Sequence, residues 1–191
     1  MKSIIILLTI FSSILFAQEE TQPELPGWGI YGGLGLMSAY GDDAPDDPEF
    51  NMLPGGGVSG FVMAGPIPMQ VGIGIHGRGV KADVMGAEMS LSANYLDLWA
   101  QIPYPVGPAF LGAGFQVGTF LSGKQEYGSM EEDLERDDYA LDYGLNFGLG
   151  YPIGDTGAQV GVLYLLGLAK QGGDDLDMKW NGFFLNAGYS F

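Results

Sequence analysis

The sequence predicts an all-β chain, an eight-stranded antiparallel up-and-down barrel that spans a membrane. Three observations carry that prediction. Large apolar residues alternate with small or polar ones along most of the chain. The alternating runs are each about twelve or thirteen residues long, against ~5–6 for an ordinary strand and ~9–11 for a tilted strand that crosses a bilayer. The breaks between runs alternate in kind, long and acidic, then short with Pro or Gly.

The runs fall at 28–40, 53–64, 69–81, 91–102, 109–121, 139–151, 158–169 and 180–191. The first opens on Trp28 and holds GGLG at 32–35, which sits inside a strand with no helix after it and so is no phosphate loop. The second, LPGGGVSGFVMA, alternates poorly and contains Pro54. In the third, Met69, Val71, Ile73 and Ile75 alternate with Gln70, Gly72, Gly74, His76 and Arg78. In the fourth, Leu96, Leu98, Ala100 and Ile102 alternate with Asp97, Trp99 and Gln101. The fifth, 109–121, contributes Gln116. The sixth, YALDYGLNFGLGY, is the clearest: its odd positions are all large and its even positions are Ala140, Asp142, Gly144, Asn146, Gly148 and Gly150. A period of two gives a strand two different faces. The seventh sets Val160, Val162, Tyr164, Leu166 and Leu168 on one face, and the eighth does the same with Phe183, Leu185, Ala187, Tyr189 and Phe191.

Residues 1–17 read as a secretory signal peptide: Lys2, the apolar run IIILLTIFSSILF, then Ala17. That run is shorter than the ~20 residues of a spanning helix. Residues 18–27 form an N-terminal tail on the periplasmic side, and 28–191 the barrel. No Cys is present, which excludes a lipid-anchored N-terminus, disulfides and thiolate metal sites.

Without the signal, the chain carries 23 acidic and 6 basic residues, a net charge of −17. Nucleic acid is excluded as a partner of so acidic a protein. Mean hydropathy is nevertheless +0.15, so charge and apolar surface must be segregated. Seventeen of the 23 acids lie in four segments, 41–50, 82–90, 122–138 and 170–179. The other breaks, AGPIP (64–68), PYPVGP (103–108) and YPIGDT (151–156), read as tight turns. If the apolar faces formed a common core, the water-exposed exterior would be almost uncharged glycine. Inverted, the apolar faces meet lipid and the Gly-rich faces fill a narrow bore, as eight strands allow. Closure also removes edges that lipid cannot satisfy. Short turns then face the periplasm and long loops the exterior. Aromatics are expected in two belts: Trp28, Tyr104, Phe110, Tyr151 and Tyr189 at the short-turn end, and Tyr40, Tyr127, Tyr139 and Trp180 at the long-loop end.

GWGIYGGLGL in the first strand, NYLDLWAQIPYPVGPAFLGAGFQVG across the fourth and fifth, DYGLNFGLGY in the sixth and the terminal NGFFLNAGYSF, together with the signal peptide, carry a resemblance. The chain resembles the bacterial family of small eight-stranded outer-membrane β-barrels, which includes relatives of outer-membrane proteins A, X and W. The resemblance covers 28–191 and implies the outer membrane, with its lipid and lipopolysaccharide, as location. It also implies that Phe183, Leu185, Tyr189 and the terminal Phe191 form a signal read by the barrel-assembly machinery. It leaves the function open, because such barrels serve as small pores, adhesins and other proteins.

Arg78 is the only Arg within a strand, and Asp97 shares its bore-facing parity on the next strand. A hairpin centred near Ala87 and Glu88 sets them roughly opposite, with Asp142 at comparable depth across the bore. Two readings stand: a structural ion cluster, or a gate made by a charge pair. His76, the lone His, shares the bore with Gln70 and Gln116. A serine-type lipid hydrolase or acyltransferase would want it beside Ser and an acid at the lipid-facing surface, so the chain reads as no enzyme, with no cofactor. The acidic loops lack calcium-loop spacing and give no metal site; they suit a basic extracellular ligand, or divalent bridging to lipopolysaccharide. The function expected is structural or surface interaction through these loops. The alternative is a narrow channel for small or hydrophobic solutes. A bore plugged by Arg78, Asp97, Trp99 and Gln116 favours the first, and a continuous wet path the second.

Overall fold

The computed structural model describes residues 27–84, 86–139, 141–173 and 176–191. The expected signal peptide and all but the last residue of the tail lie outside the described residues. The strands are β1 (Gly29–Tyr40), β2 (Glu49–Ala64), β3 (Ile67–Val84), β4 (Ala87–Val106), β5 (Ala109–Tyr127), β6 (Met130–Asp133), β7 (Leu141–Pro152), β8 (Ala158–Gly167) and β9 (Lys179–Ser190), with a one-turn helix α1 (Arg136–Tyr139) before β7. Each barrel strand pairs antiparallel with the next, β5 pairs directly with β7, and β9 returns to β1. The result is a closed ring of eight strands. Strand β6 stands outside it as a short hairpin partner of β5.

Period-two alternation becomes an inside-out barrel. Along β7, Leu141, Tyr143, Leu145, Phe147, Leu149 and Tyr151 are exposed, while Asp142, Gly144 and Asn146 are buried. Strand β9 behaves alike, with Phe183 and Leu185 outward and Trp180 and Phe184 inward. In water this exterior would be a liability; in lipid it costs nothing, and the closed ladder satisfies the backbone.

The walls are of unequal height. The 82–90 segment expected as an acidic loop is instead the tip of a hairpin: β3 and β4 pair up to Val84↔Ala87. Gly86, at φ 82°, donates its N–H to the Asp83 carboxylate at 2.8 Å and closes the turn. Much of 122–138 is likewise strand, because β5 runs on to Tyr127 and folds back as β6. At the other end, 103–108 is not all turn. Pro103 and Pro105 lie in β4, beyond the last β3 partner at Gln101, where β4 pairs with β5 alone. There a missing N–H breaks no ladder. Pro54 is tolerated for a related reason: it falls in the register shift of β2 against β3, between Phe50 and Gly55.

Candidate functional site: the filled bore

Arg78 on β3 is the centre of the bore. Its Nη2 donates to Asp97 Oδ2 at 2.9 Å and its Nε to Asp142 Oδ2 at 3.1 Å. The three side chains are 0%, 2% and 1% exposed. Such burial is tolerable only because each charge has a partner, and removing one partner strands the others. Arg78 is not the register partner of Asp97; that is Gly74, four residues down the strand. Strands tilted by ~35–45° put residues of equal height out of register, so Arg78 reaches its partners diagonally. Asp97 and Asp142 flank one position, Gly118 on β5, which pairs with both. A Cβ there would collide with Asp97 Oδ1.

His76 lies below. Its Nδ1 meets Asp97 Oδ2 at 2.7 Å, and Tyr31 Oη meets its Nε2 at 3.1 Å. Trp99 Nε1 donates to Tyr31 Oη at 3.0 Å. With Nδ1–H donating to the carboxylate, the imidazole is held between Asp97 and Tyr31. The order hydroxyl, imidazole, carboxylate copies that of a hydrolase triad, but the place a serine would take is filled by a tyrosine. The set also faces the bore, away from lipid. Gln101 Nε2 donates to Gln70 Oε1 at 2.8 Å farther down. These groups, with Ser59, Gln159 and Asn186, line a cavity of about 60 Å³ in the lower half of the bore, room for a few waters.

Gln116 is buried but makes no hydrogen bond to the ion cluster; its Nε2 has no partner among the described residues. The same holds for Arg78 Nη1, Asp97 Oδ1, Asp142 Oδ1, Asn146 Oδ1 and Gln101 Oε1. Each such group left dry costs roughly 1–3 kcal/mol.

Above Arg78 the bore changes character. Val80, Leu91, Ala93, Tyr95, Phe120, Tyr139, Met178 and Trp180 form one buried apolar cluster. Tyr95 and Phe120 meet edge to face at 5.8 Å, Phe120 and Tyr139 stack at 6.0 Å, and the Arg78 guanidinium lies 5.7 Å from the Tyr95 ring. This corrects two of the expected aromatic positions at the long-loop end: Tyr139 and Trp180 are 7% and 1% exposed and plug the mouth. Phe110 is also no belt residue, since it lines the lower cavity. The parity of Trp180, Tyr95, Tyr31 and Phe184 with known bore positions marks them in the sequence. Gln171, wholly buried from a loop, carries no such mark.

The bore is therefore filled: wet-capable below, ionic at its middle, apolar at its long-loop end. Above it stand the exposed acids of 42–49 and 131–138. Most of the nearby bases are already paired with acids: Lys81 with Glu88 at 2.8 Å, Lys124 with Glu131, Lys179 and Lys170 with Asp177. At the other end of β9, Phe183, Leu185, Tyr189 and Phe191 face outward.

Solved structures share this architecture, Neisserial surface protein A and Ail among them. Neisserial surface protein A is 9% identical with a TM-score of 0.58, over 88% of this chain and 100% of that one. Ail, the attachment invasion locus protein of Yersinia pestis, solved with the heparin analogue sucrose octasulfate, is 15% identical with a TM-score of 0.50, over 87% and 100%. No curated protein matches the sequence. The model of the outer membrane protein beta-barrel domain matches residues 4–191. With a closed eight-stranded ring, an apolar exterior and that match over nearly its whole length, the chain belongs to the outer membrane protein beta-barrel family and resides in the bacterial outer membrane.

Proposed function

We propose that this barrel is a surface-interaction protein whose working part is its acidic extracellular end. The observation that carries the reading is the filled bore: Arg78, Asp97 and Asp142 occupy its middle and Trp180, Tyr139, Phe120 and Tyr95 its mouth. A protein that spends its bore on packing has its outer surface left for recognition. That surface is dominated by carboxylates, and Arg136 stands among the acids of its own turn, Asp137 and Asp138. Such a field attracts cations and basic chains and repels polyanions. Ail was solved with a polyanion; the crown here calls for the opposite charge, a basic extracellular ligand. Lipopolysaccharide phosphates would meet it through divalent cations. We assign no enzymatic role. Phe183, Leu185, Tyr189 and Phe191, outward on the last strand, suit recognition by the barrel-assembly machinery.

Ion conductance of the refolded chain in a planar bilayer, beside poly-lysine binding to the same protein in vesicles, tests this. A silent bilayer is expected, with poly-lysine binding that falls steeply with salt and is lost when Asp46, Asp47, Glu131 and Glu132 become amides. Steady conductance of the natural chain, altered in Arg78→Ala, would replace this reading with that of a narrow channel.

A further inference from the structure

The outer mouth is closed by more than barrel strands. Strand β8 is the shortest wall strand, ten residues, and where it stops at Gly167 the chain turns inward over the bore. Gln171 is 0% exposed although it lies beyond the end of β8. Both ends of its amide are used. Tyr95 Oη donates to Gln171 Oε1 at 2.8 Å, and Gln171 Nε2 donates to the Leu141 carbonyl at 3.1 Å. Its backbone N–H donates to the Met178 carbonyl at 2.8 Å, and the N–H of Gly172 donates to the backbone carbonyl of Asp138 at 3.0 Å. One anchor, Tyr95, packs on Arg78; the other, Leu141, adjoins Asp142. Leu168 and Ala169 still donate their N–H groups to the Tyr143 carbonyl, at 2.7 and 3.3 Å, so they stay tied to the wall; beyond them the closure is held by a few hydrogen bonds that water can replace, directly above the ion cluster.

Below the closure the polar atoms without protein partners run in sequence through the bore: Arg78 Nη1, Asp97 Oδ1, Gln116 Nε2, Asn146 Oδ1 and Gln101 Oε1. The last belongs to a side chain that lines the lower cavity. Groups of this kind are satisfied by buried water when the space is polar.

We propose that residues 170–173 are a lid, latched by Gln171, over a bore that is hydrated from the periplasmic side. Unlatching opens the apolar seal and exposes the ion cluster to the exterior, with two carboxylates against one guanidinium to admit water and small cations. This goes beyond the surface-interaction reading and does not depend on it.

The absence of cysteine from the chain makes the test clean. Ala93→Cys places a thiol in the seal and Ser59→Cys one in the lower cavity. A small, charged, membrane-impermeant methanethiosulfonate is added to vesicles from either side, the outer face being the one where protease reaches 128–138. From outside, the cysteine at 93 is expected to react slowly in the natural background and roughly tenfold faster with Gln171→Ala, as loss of two hydrogen bonds predicts. Tyr95→Phe, which removes one bond and keeps the ring, gives an intermediate rate and serves if Gln171→Ala fails to fold. The cysteine at 59 reacts from the periplasmic side at one rate in all backgrounds. Equal rates at 93 in every background, fast or slow, would overturn the latch. An unreactive cysteine at 59 in a folded barrel would overturn the hydrated bore.

Discussion

The two halves of the bore are built from the same strands with the same parity, yet they are lined differently. Below Arg78 the inward positions mix the polar Gln70, His76, Gln101, Gln116 and Asn146 with the rings of Tyr31, Trp99 and Phe184; above it they are mostly apolar, with Val80, Leu91, Tyr95, Phe120 and Trp180. The lower half leaves polar atoms for water and a cavity to hold it. Both halves pack ring on ring, but in the upper half the unpartnered polar atoms are fewer, Trp180 Nε1 and Asn181 Oδ1 among them. A barrel of eight strands must fill its bore, and the difference teaches that it can do so with either chemistry. What decides is which end must exclude water.

The largest effect should come where the halves meet. Arg78→Ala leaves Asp142 buried without its partner and Asp97 with His76 alone, which should cost about 3–5 kcal/mol. Urea unfolding in vesicles reads this directly. Replacing all three by apolar residues of similar volume should recover most of it, because the penalty lies in the unpaired charge. If the triple variant is as unstable as Arg78→Ala, the cluster contributes something other than mutual neutralisation.

Matched truncations sharpen the comparison next. Phe120→Ala in the dry half leaves an apolar cavity and should cost about 3 kcal/mol. Asn146→Ala in the wet half loses one hydrogen bond, to the Phe115 carbonyl at 3.0 Å, and water can enter the space. It should cost about 1 kcal/mol. Equal losses would mean that the halves do not differ in hydration.

Gly118→Ala should follow. Its added methyl falls on Asp97 Oδ1, a contact relieved only by turning a carboxylate that already holds Arg78 and His76. Overpacking of this kind costs about 1–3 kcal/mol. Gly65→Ala, at an open turn with nothing within 4 Å, tests left-handed backbone strain alone and should be milder.

How much of this could be read beforehand depends on which physics the sequence exposes. The alternation of β7 gave faces, span and inversion together, because lipid selects on each side chain separately. The bore set of Arg78, Asp97 and Asp142 was legible for the same reason. Their register was not: tilt displaces equal heights by several residues, so Arg78 pairs with Ala93 along the ladder while bonding Asp97. Acidity misled at 82–90, since Asp83 and Glu88 can sit on strands once these have risen beyond the membrane into water. Belt statistics misled for Tyr139 and Trp180, because aromatics suit a plug as well as a headgroup region. For Trp180, parity with Phe184 was the better guide. Gln171 was invisible, because a loop has no period and its two bonds depend on where the mouth brings Tyr95 and Leu141.

The smallest effect belongs to the crown, and it bounds the comparison from outside. Asp177 is one residue from Met178, the backbone partner of Gln171. A hydrogen bond from the Lys179 ammonium holds its carboxyl below the usual range near 3.8. A carboxyl whose folded pKa is depressed contributes stability above its unfolded value, and that contribution disappears as pH falls through the lower folded value. The pair is partly open to water, so screening should reduce it to little. Thermal unfolding of Asp177→Asn should therefore match the natural chain at pH 7 in high salt and differ from it only slightly in low salt. The slight difference should disappear as pH falls through the lowered folded value, where the natural carboxyl is also neutralised. The lid rests on Gln171 rather than on this ion pair, so labelling at position 93 should not change with it. If Asp177→Asn opened the mouth as Gln171→Ala is expected to, the seal would be electrostatic and held from the water side. The division of the bore into a wet half and a dry half would then depend on ionic strength, which packing among Tyr95, Phe120, Tyr139 and Trp180 does not.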